Sequence, residues 1–475
     1  RLYELFADLD ERLLFAEPFD GENPLPFIVN PQKTLSYLAG QLRHWRRGYA
    51  IDPIWWDVYN WFVCSDERQA FQLLLNSLFY KNEATKLSRE TSTALYGETI
   101  QASVSRMERF QACAFQQFAA HGLRLKEREV FRLDAPDIGE LFHASLSAIA
   151  KELKERDVEW SSLNEEQCQD LADRYVEKLA PKLQSEILLS SHRHKYVMRK
   201  LKNIVGRTTA VLSQQAKRSR FSPVGLEIEF GNEKPIPPLT YELENGTKLE
   251  VIGRIDRVDQ ARSEKGLLLR VIDYKSSARD LNLAEVYYGI SMQMLTYLDV
   301  VITHAPWWLG SEALPAGVLY FHVHDPMLQA ATIPEEKERN NKLFKKFKMN
   351  GLVLADEEAV TLMDKEMVDR DSDIIPAAFK KNGGFKAYSK IVSEDEFAVL
   401  QTHTRRLIRY IGTKLTDGII DISPYKMNKQ TACTFCSFRS FCQFDQSLAE
   451  NRYRLLKAEK NDDIFEKMGR KKRDG

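Results

Sequence analysis

Three charged side chains follow two apolar, strand-like runs within the stretch Gly253–Ser277. Asp256 is expected near the end of the first strand, and Asp273 and Lys275 near the end of the second. Because side chains alternate along a strand, Asp273 and Lys275 project from the same face. Two carboxylates and an ammonium that converge in this way suit a divalent cation and an attacking water.

Charged residues near strand ends often form only surface ion pairs, and each of these three taken alone favours that interpretation. The combination is more specific, because an Asp and a Lys alternate directly after an apolar run. Gly253 also precedes Asp256, where a close backbone approach is useful. We therefore interpret this stretch as the candidate site and ask which elements position it.

A hairpin and its neighbouring strands must hold these residues in place. Arg262–Gly266 separates two β-branched and aliphatic runs and predicts the hairpin turn. Gly225–Gly231 is predicted to be the first strand, and Gly317–Val323 a later one. The order of strands and helices predicts an α/β protein with a small mixed sheet flanked by helices.

A long helix is predicted over Ser103–Leu123, ahead of the sheet. Ser103 or Ser105 caps this helix, and Glu108 lies three residues after Ser105, as in a capping box. Cys113 lies in the middle of the helix. The pattern therefore predicts an unbroken helix with a thiol at its centre.

Two further helices carry polar side chains that face the hairpin. Ile138–Leu153 has its apolar residues on one side and carries His143, and Leu283–His304 carries Gln293 and Tyr297 one turn apart. A lone His on a helix is more often a packed core residue, but beside two strand carboxylates His143 becomes a candidate ligand. Oxygen ligands with one imidazole suit Mg²⁺ or Mn²⁺.

The remaining polar groups have roles that follow from such an ion. Lys275 would orient or deprotonate the attacking water, or neutralise developing negative charge. Gln293 and Tyr297 would support the ligands or position a substrate.

Three of the six cysteines form the cluster Cys433-x2-Cys436-x5-Cys442. Three thiolates at this spacing can hold one metal centre, with a fourth ligand from His121, His194 or another Cys. Zinc and an iron–sulfur cluster both fit the spacing, and three reduced core thiols are the remaining alternative.

The composition is that of a globular protein, with 475 residues, 43% of them hydrophobic and 29% charged, which predicts two or three domains. No apolar run approaches the roughly 20 residues that span a bilayer. The sequence has no Gly-rich phosphate loop ending in Gly-Lys-Ser/Thr, and thus no recognisable ATPase motif. The chain begins at Arg1 without a signal-like segment, which we interpret as a processed chain or a piece of a longer one.

Charge is balanced overall, with 68 basic and 68 acidic residues, so net charge neither favours nor excludes a nucleic acid. Solvated helix faces explain any single basic cluster. Together the clusters form a candidate phosphate-binding surface. The basic clusters lie at residues 192–202, 217–220, 337–348 and 470–473.

Four motifs together resemble the RecB-type nuclease domain of the PD-(D/E)XK superfamily. The resemblance implies the restriction-endonuclease-like fold, a mixed central sheet flanked by helices. The motifs are GRIDRVD at 253–259, VIDYKSS at 271–277, FHASL at 142–146 and Gln293-x3-Tyr297.

The same resemblance implies roles for individual residues. His143, Asp256, Asp273 and the main-chain carbonyl of Tyr274 would bind metal, and Lys275 would be the catalytic lysine, with Gln293 and Tyr297 also at the site. Asp273 stands where many members of the superfamily have Glu, and Ile255 stands where they have Pro before the first Asp. The resemblance singles out neither Glu227 nor Glu229 as a further ligand.

A second resemblance involves the cysteines. Cys113 within SRMERFQACAF, followed much later by ACTFCSFRSFC at 432–442, resembles the iron–sulfur staple of AddB-like subunits of bacterial AddAB helicase–nucleases. It implies that Cys113, Cys433, Cys436 and Cys442 hold a [4Fe–4S] cluster. Such a cluster would join the ends of the nuclease domain and stabilise DNA binding.

This resemblance also implies a domain plan. Residues 1–95 would be the end of a mostly helical, helicase-like region, and residues 96–445 the nuclease domain, with an insertion or lid at about 325–395. Residues 446–475 would form a polar C-terminal helix and a basic tail.

The activity implied is that of a Mg²⁺-dependent DNA exonuclease of the bacterial cytoplasm, acting at double-strand breaks on the unwound 5′-ended strand. Its partner would be an AddA-type helicase–nuclease subunit in a heterodimer. One alternative is a non-catalytic scaffold that binds DNA ends. Another is a RecB-like nuclease whose cysteines hold zinc.

Overall fold

A computed structural model describes residue 18 and residues 23–128, 130–329, 335–367 and 371–469. The basic cluster at 470–473 lies outside the described residues. None of the described helices combines the length and the apolar character needed to cross a bilayer.

The chain divides into two compact units, Arg1–Glu83 with Ser447–Glu450, and Ala84–Gln446 with Asn451–Gly475. The helix Arg89–Tyr96 therefore belongs to the second unit, whereas the sequence analysis placed it before a boundary at about residue 95.

The described part of the chain contains runs of helices and runs of strands. The α-helices are Pro31–Arg46, Ile54–Cys64, Arg68–Leu78, Arg89–Tyr96, Val104–Ala112, Ala114–Gln117, Ala135–Glu155, Glu165–Leu179, His192–Arg218, Leu283–Tyr287, Gln293–Leu309, Glu336–Lys346, Glu357–Met363, Glu394–Thr416, Arg439–Cys442 and Asn461–Met468. The strands are β1 Thr99–Ser103, β2 Ser222–Phe230, β3 Leu239–Glu242, β4 Lys248–Ser263, β5 Gly266–Lys275, β6 Ala313–His322, β7 Asn350–Leu354, β8 Ile391–Val392, β9 Tyr425–Met427, β10 Gln430–Thr431 and β11 Arg454–Leu456.

The first unit is helical, and aromatic side chains fill its small core. Trp55 and Phe62 lie about two turns apart on one helix and are both buried. Phe62 stacks on Phe71 with ring centroids 5.6 Å apart. Leu38 completes the buried centre. Burial of these large side chains supplies the stabilisation that short helices lack by themselves.

The second unit is built on a mixed sheet with the strand order β1–β4–β5–β6–β7–β8, and β2 and β3 also pair with β4. The pairs β1–β4, β5–β6 and β7–β8 are parallel, and the others are antiparallel. Strands β10, β9 and β11 form a separate small sheet. The predicted fold class, a mixed central sheet flanked by helices, is confirmed.

Strand β4 is the hub of this sheet. Its first residues pair with β1 and β3, and its later residues pair with β2 and β5. Asp256 therefore lies in the middle of a long strand, and the prediction that it ends one was wrong. The charged residues there did not mark a strand end, because residues 255–259 of β4 are all buried inside the sheet unit.

The hairpin turn was predicted correctly, since β4 ends at Ser263 and β5 begins at Gly266. The first strand was predicted wrongly, because β1 precedes the segment Gly225–Gly231 that was predicted to be first. Strand β1 has only five residues and lies directly before a helix cap, so its period-2 pattern was too short to recognise.

The helix Ala135–Glu155, here called the His143 helix, confirms the predicted amphipathic segment. Phe142, Leu146, Ile149 and Leu153 are all buried against the sheet. This apolar stripe fixes the rotation of the helix about its axis and therefore the direction in which His143 points.

Two helices predicted as continuous are divided. The segment Ser103–Leu123 breaks at Cys113, whose extended conformation separates the helix Val104–Ala112 from the helix Ala114–Gln117. The N–H of Phe115 donates to Asp421 O at 3.0 Å. Ser103 caps the helix as predicted. The capping box with Glu108 was wrong, since that carboxylate caps another helix.

The predicted helix Leu283–His304 is interrupted between Tyr287 and Gln293. Gly289 has φ +73° there, and a Cβ at this position would approach the Gln111 side chain to 3.0 Å. Glycine therefore permits both the turn and the close packing. As a result, Gln293 begins a new helix rather than continuing an old one.

The region predicted as an insertion or lid contributes to the central sheet. Strands β7 and β8 both come from residues 325–395 and extend the sheet beyond β6. Its many charges and its glycines gave the region a loop-like composition. The last residues form β11 and a helix whose Ile464 and Phe465 are buried, rather than one polar helix.

Candidate functional site

The register of the sheet brings three carboxylates to one face. Arg257 pairs with Ile272, so Asp256 and Asp273, the next residue in each strand, lie opposite each other. Glu227 lies between Leu226 and Ile228, whose partners flank Asp256. Residues that oppose each other across antiparallel strands project to the same side, so the three acids converge.

His143 reaches this group from the His143 helix. Its Nδ1 lies 3.2 Å from Asp256 Oδ2, and its ring meets the Tyr274 ring edge to face at 6.0 Å. Burial lowers the pKa of His143, but the hydrogen bond to Asp256 and the charges of Asp256, Asp273 and Glu227 outweigh burial and raise the pKa above its usual value.

Lys275 and Asp273 form an ion pair on this face, with 2.6 Å between Nζ and Oδ2. Burial and the charge of Asp256 raise the pKa of Asp273 to about 6, against the opposing effect of Lys275. Burial and the charge of Asp256 also raise the pKa of Glu227. These carboxylates therefore repel one another, and a cation between them would relieve the repulsion.

The donor set suits a divalent cation. One ligand atom each from His143, Glu227 and Asp256 lies within 4.8 Å of the other two. Among the described residues, no other group of three or more His, Cys, Asp or Glu side chains meets this limit. Two oxygens on one octahedral Mg²⁺ are about 3 Å apart when adjacent and about 4 Å apart when opposite. Small side-chain movements therefore complete such a site.

Glu227, which the sequence analysis left open, lies at the centre, and Glu229 does not. Glu229 points to solvent, where it pairs with Lys234 at 2.7 Å. Glu227 has φ +48°, a left-handed conformation rare in non-glycine residues, and it pairs with Arg254 at 2.8 Å. Such a conformation on an edge strand persists only when its surroundings hold it.

Tyr274 contributes to the site through its backbone. Its N–H donates to Asp256 Oδ2 at 2.9 Å and so orients that carboxylate. The predicted use of its carbonyl as a ligand stays a prediction.

Gln293 and Tyr297 form a linked pair beside the acids, as their spacing predicted. Gln293 Nε2 donates to Tyr297 Oη at 3.0 Å, and the buried Tyr297 ring meets the Phe230 ring edge to face at 5.8 Å. A Cβ at Gly253 would lie 2.9 Å from the Phe230 ring and 3.7 Å from Tyr297. The close approach predicted at Gly253 thus serves these aromatic rings.

Glu108 is a partly buried residue near the site, and its role was not predicted from the sequence. Its Oε1 accepts the main-chain N–H groups of Met292 at 2.6 Å and Gln293 at 2.9 Å. These are the unpaired donors at the start of the helix Gln293–Leu309, here called the Gln293 helix. Burial raises the pKa of Glu108 to about 7, against the lowering effect of these two hydrogen bonds.

Comparison with known proteins identifies the family of this site. A model of the PD-(D/E)XK nuclease superfamily matches residues 101–443, which include every candidate site residue named above. The chain belongs to the PD-(D/E)XK nuclease superfamily. A second model, the fifth domain of the ATP-dependent helicase/deoxyribonuclease AddB, matches residues 20–77 in the first unit.

Curated relatives of this nuclease-family chain are named as a subunit of an ATP-dependent helicase/deoxyribonuclease. Those of Bacillus licheniformis and Bacillus subtilis are each 53% identical, and that of Geobacillus kaustophilus is 49% identical, over 98% of this chain. The chain spans about 40% of the length of each relative.

The four cysteines of the predicted staple lie near one another in the nuclease-family unit. Burial raises the pKa of Cys113 to about 11, and the neighbouring thiol of Cys433 contributes. Burial and the nearby thiols of Cys436 and Cys442 raise the pKa of Cys433. The ring of Phe115, two residues after Cys113, stacks on Phe441 with 6.0 Å between centroids.

A buried ionic network lies on the opposite face of the hairpin. Asp259 is fully buried and accepts hydrogen bonds from Arg257 at 2.6 Å and from Arg270 at 2.8 Å. Arg257 lies over the Trp160 ring, and Arg270 lies over Phe221. Because Asp259 pairs directly with Arg270 across the two strands, the network helps to fix the register that aligns Asp256 with Asp273.

Proposed function

We propose that the second unit is a divalent-metal-dependent deoxyribonuclease. The observation that carries the proposal is the meeting of His143, Glu227 and Asp256 beside the ion pair of Asp273 with Lys275. Oxygen and imidazole donors suit Mg²⁺ or Mn²⁺. A cation bound there supplies Lewis-acid polarisation of a phosphate oxygen and lowers the pKa of an attacking water.

The protein's own residues have distinct tasks in this proposal. His143, Glu227 and Asp256 hold the cation, and Asp273, with the Tyr274 carbonyl, completes the ligands. Lys275 is held by Asp273, so its ammonium stays beside the site and stabilises negative charge that develops on the phosphate. Hydrolysis adds water across one phosphorus–oxygen bond and leaves one phosphate end and one hydroxyl end.

Gln293 and Tyr297 position the substrate strand in this proposal. Their mutual hydrogen bond leaves the Gln293 carbonyl and the second amide hydrogen available to a nucleotide. The Glu108 cap fixes the first turn of the Gln293 helix and therefore the place of both side chains.

We also propose that Cys113, Cys433, Cys436 and Cys442 hold a [4Fe–4S] cluster. The proximity of Cys113 to Cys433, and of Cys433 to Cys436 and Cys442, supports one shared centre for the four thiols. The cluster would join Cys113 to three cysteines that lie over 300 residues later in the chain, and it would offset the large entropy cost of closing that loop.

The names of the curated relatives support a wider proposal. The chain would act within an ATP-dependent helicase–nuclease of the bacterial cytoplasm, with an AddA-type subunit as partner. It would degrade the 5′-ended single strand that unwinding of a broken DNA end releases.

A strand-labelled cleavage assay tests the nuclease proposal. Protein purified without air is incubated with 5′- or 3′-labelled single-stranded DNA, with Mg²⁺, with Mn²⁺ or without divalent metal. Metal-dependent cutting is expected, and Asp273→Ala and Lys275→Ala are expected to abolish it while DNA binding persists. Lys381→Ala, which changes an exposed lysine, is the matched control and should cut normally.

The outcomes separate the alternatives. Unchanged cutting by both site variants would overturn the catalytic assignment. Binding without cutting in either metal would favour a DNA-end-binding scaffold. Zinc in place of iron and sulfide, in protein that still cuts, would favour the zinc-held nuclease.

A further inference from the structure

A groove runs from the candidate metal site along the His143 helix. It consists of two adjoining cavities of about 620 and 440 Å³ between that helix and the edge strand β2, and both are lined by Lys154, Pro223 and Leu226. Glu227 lines the larger cavity. Since Glu227 is also one of the three grouped ligands, the larger cavity adjoins the candidate metal site.

The His143 helix sets the direction and length of the groove. Ser147 and Lys151 follow His143 at intervals of four residues, so all three lie on one helix face, and the latter two line the larger cavity. Lys154 lies eleven residues after His143, or roughly 17 Å along the helix at 1.5 Å per residue. That length accommodates roughly five phosphates at the 3.4 Å spacing of one B-form strand, and fewer in a stretched strand.

The far end of the groove is basic. Lys154, Lys217, Arg220 and Lys365 line the smaller cavity, and none has a carboxylate within 4.0 Å among the described residues. Arg218, beside this group, differs because Asp364 neutralises it at 2.8 Å.

The contacts of these cations leave their charge available. Lys217 Nζ has only a long hydrogen bond to Leu163 O, at 3.5 Å, and Lys365 Nζ donates to Lys217 O at 3.3 Å. Glu159 is the one acidic residue among those that line the smaller cavity, and its carboxylate accepts a hydrogen bond from the Ser161 hydroxyl. Adjacent like charges in a groove repel one another, and a chain of phosphates relieves that repulsion.

The smaller cavity also has apolar lining residues, Leu153, Trp160 and Leu226. Sugars and bases can lie against such a lining without base-specific hydrogen bonds, while lysine and arginine bind the phosphates. The cavities are also too small for more than a few nucleotides of one strand.

We propose that this groove holds a single strand of DNA next to the scissile phosphate and binds it through its phosphates, without reading its sequence. The proposal rests on the proposed nuclease function and adds the path of the strand. It assigns Lys154, Lys217, Arg220 and Lys365 to phosphate binding.

The test is a binding measurement with fluorescein-labelled oligo-dT in a buffer free of divalent metal, by anisotropy from low to high KCl. The groove variant combines Lys154→Gln, Lys217→Gln and Arg220→Gln. Each phosphate neutralised on a single strand contributes roughly 0.7 to the slope of log affinity against log salt. The triple change should therefore lower the slope by about 2 and weaken binding.

A matched control removes the same charge elsewhere. Lys380→Gln, Lys381→Gln and Lys429→Gln alter three exposed cations that lie outside the groove and outside the four basic clusters. This variant should keep the wild-type slope. A control that loses as much slope as the groove variant, or a groove variant with the wild-type slope and unchanged unfolding temperature, would overturn the proposal.

Failure of the groove and failure of the nuclease proposal give different results. Metal-free binding that depends on the groove, in a protein that cuts no DNA with Mg²⁺ or Mn²⁺, would refute the nuclease and retain the groove. Metal-dependent cutting with groove-independent binding would refute the groove alone. Absence of any single-strand binding by the wild-type chain would also refute the groove.

Discussion

Glu108 Oε1 accepts the main-chain N–H of Gln293 at 2.9 Å, although 185 positions separate the two residues in the sequence. The same oxygen accepts the N–H of Met292, so one carboxylate satisfies two donors at the start of the Gln293 helix. Glu108 lies on the helix Val104–Ala112, which ends at Cys113. Cys113 of the predicted staple and the linked pair Gln293 and Tyr297 are therefore connected through one short helix and one cap.

The first prediction concerns the pH dependence of stability at this cap. The pKa of Glu108 is raised to about 7 in the folded protein, above the 4.5 of an ordinary Glu. Between these values the folded state binds more protons than the unfolded state, so stability falls as pH rises from about 5 to 8. Glu108→Gln removes this titration. Relative to the variant, the wild type should lose up to about 3 kcal/mol over that range.

Urea denaturation at several pH values measures the effect. The comparison isolates Glu108, because every other titrating group, Asp273 included, is present in both proteins. Glu127→Gln, at an exposed position, should follow the wild-type curve. Parallel curves for wild type and Glu108→Gln would show that this carboxyl is not protonated on folding.

The second prediction is that His143 determines metal affinity. His143→Ala removes one of the three grouped donors, and removal of even an indirect supporting group typically costs 10–100-fold in metal affinity or activity. The Mn²⁺ concentration for half-maximal cleavage should therefore rise by roughly tenfold or more. His192→Ala, at an exposed helix start, should leave it unchanged. A variant with wild-type Mn²⁺ dependence would remove His143 from the ligands.

The third prediction concerns the buried network behind the hairpin. Asp259→Ala leaves the guanidinium groups of Arg257 and Arg270 buried together without their shared counterion. Loss of one member of a buried ionic group typically costs 3–5 kcal/mol, and we expect a loss of about that size. Glu338→Ala breaks an exposed pair with Lys342 and should cost no more than about 0.5 kcal/mol. Equal unfolding midpoints for the two variants would contradict the structural role of Asp259.

Local patterns in the sequence predicted two side-chain pairs at the candidate site. Asp273 and Lys275 share a face because strand alternation requires it, and Gln293 and Tyr297 touch because helical spacing requires it. The apolar side of the His143 helix was equally predictable, because four large apolar residues recur at helical intervals. Contacts of this kind depend only on the geometry of one helix or strand, so the local sequence pattern predicts them.

Features set by distant contacts were not predictable in the same way. Glu227 was indistinguishable from Glu229 until the pairing of β2 with β4 placed one beside Asp256 and the other in solvent. Glu108 matched a local capping box, but its partner lies in another helix. The backbone just after the break at Cys113 bonds to Asp421, far along the chain. Local propensity carries no information about such partners.

The last prediction is that the four cysteines hold iron and sulfide and that the second unit depends on them. Protein purified without air should be brown, with about four irons per chain. Cys113→Ser should lose the colour and lower the unfolding temperature, because the link that closes a loop of over 300 residues is lost. Since burial raises the pKa of the Cys113 thiol to about 11, the cluster must displace its proton, and its retention should weaken as pH falls. Cys64→Ser, at an exposed position in the first unit, should keep the colour and the unfolding temperature of the wild type. A colourless wild-type protein that contains one zinc would refute the cluster, and a Cys113→Ser protein with full iron content would remove Cys113 from its ligands.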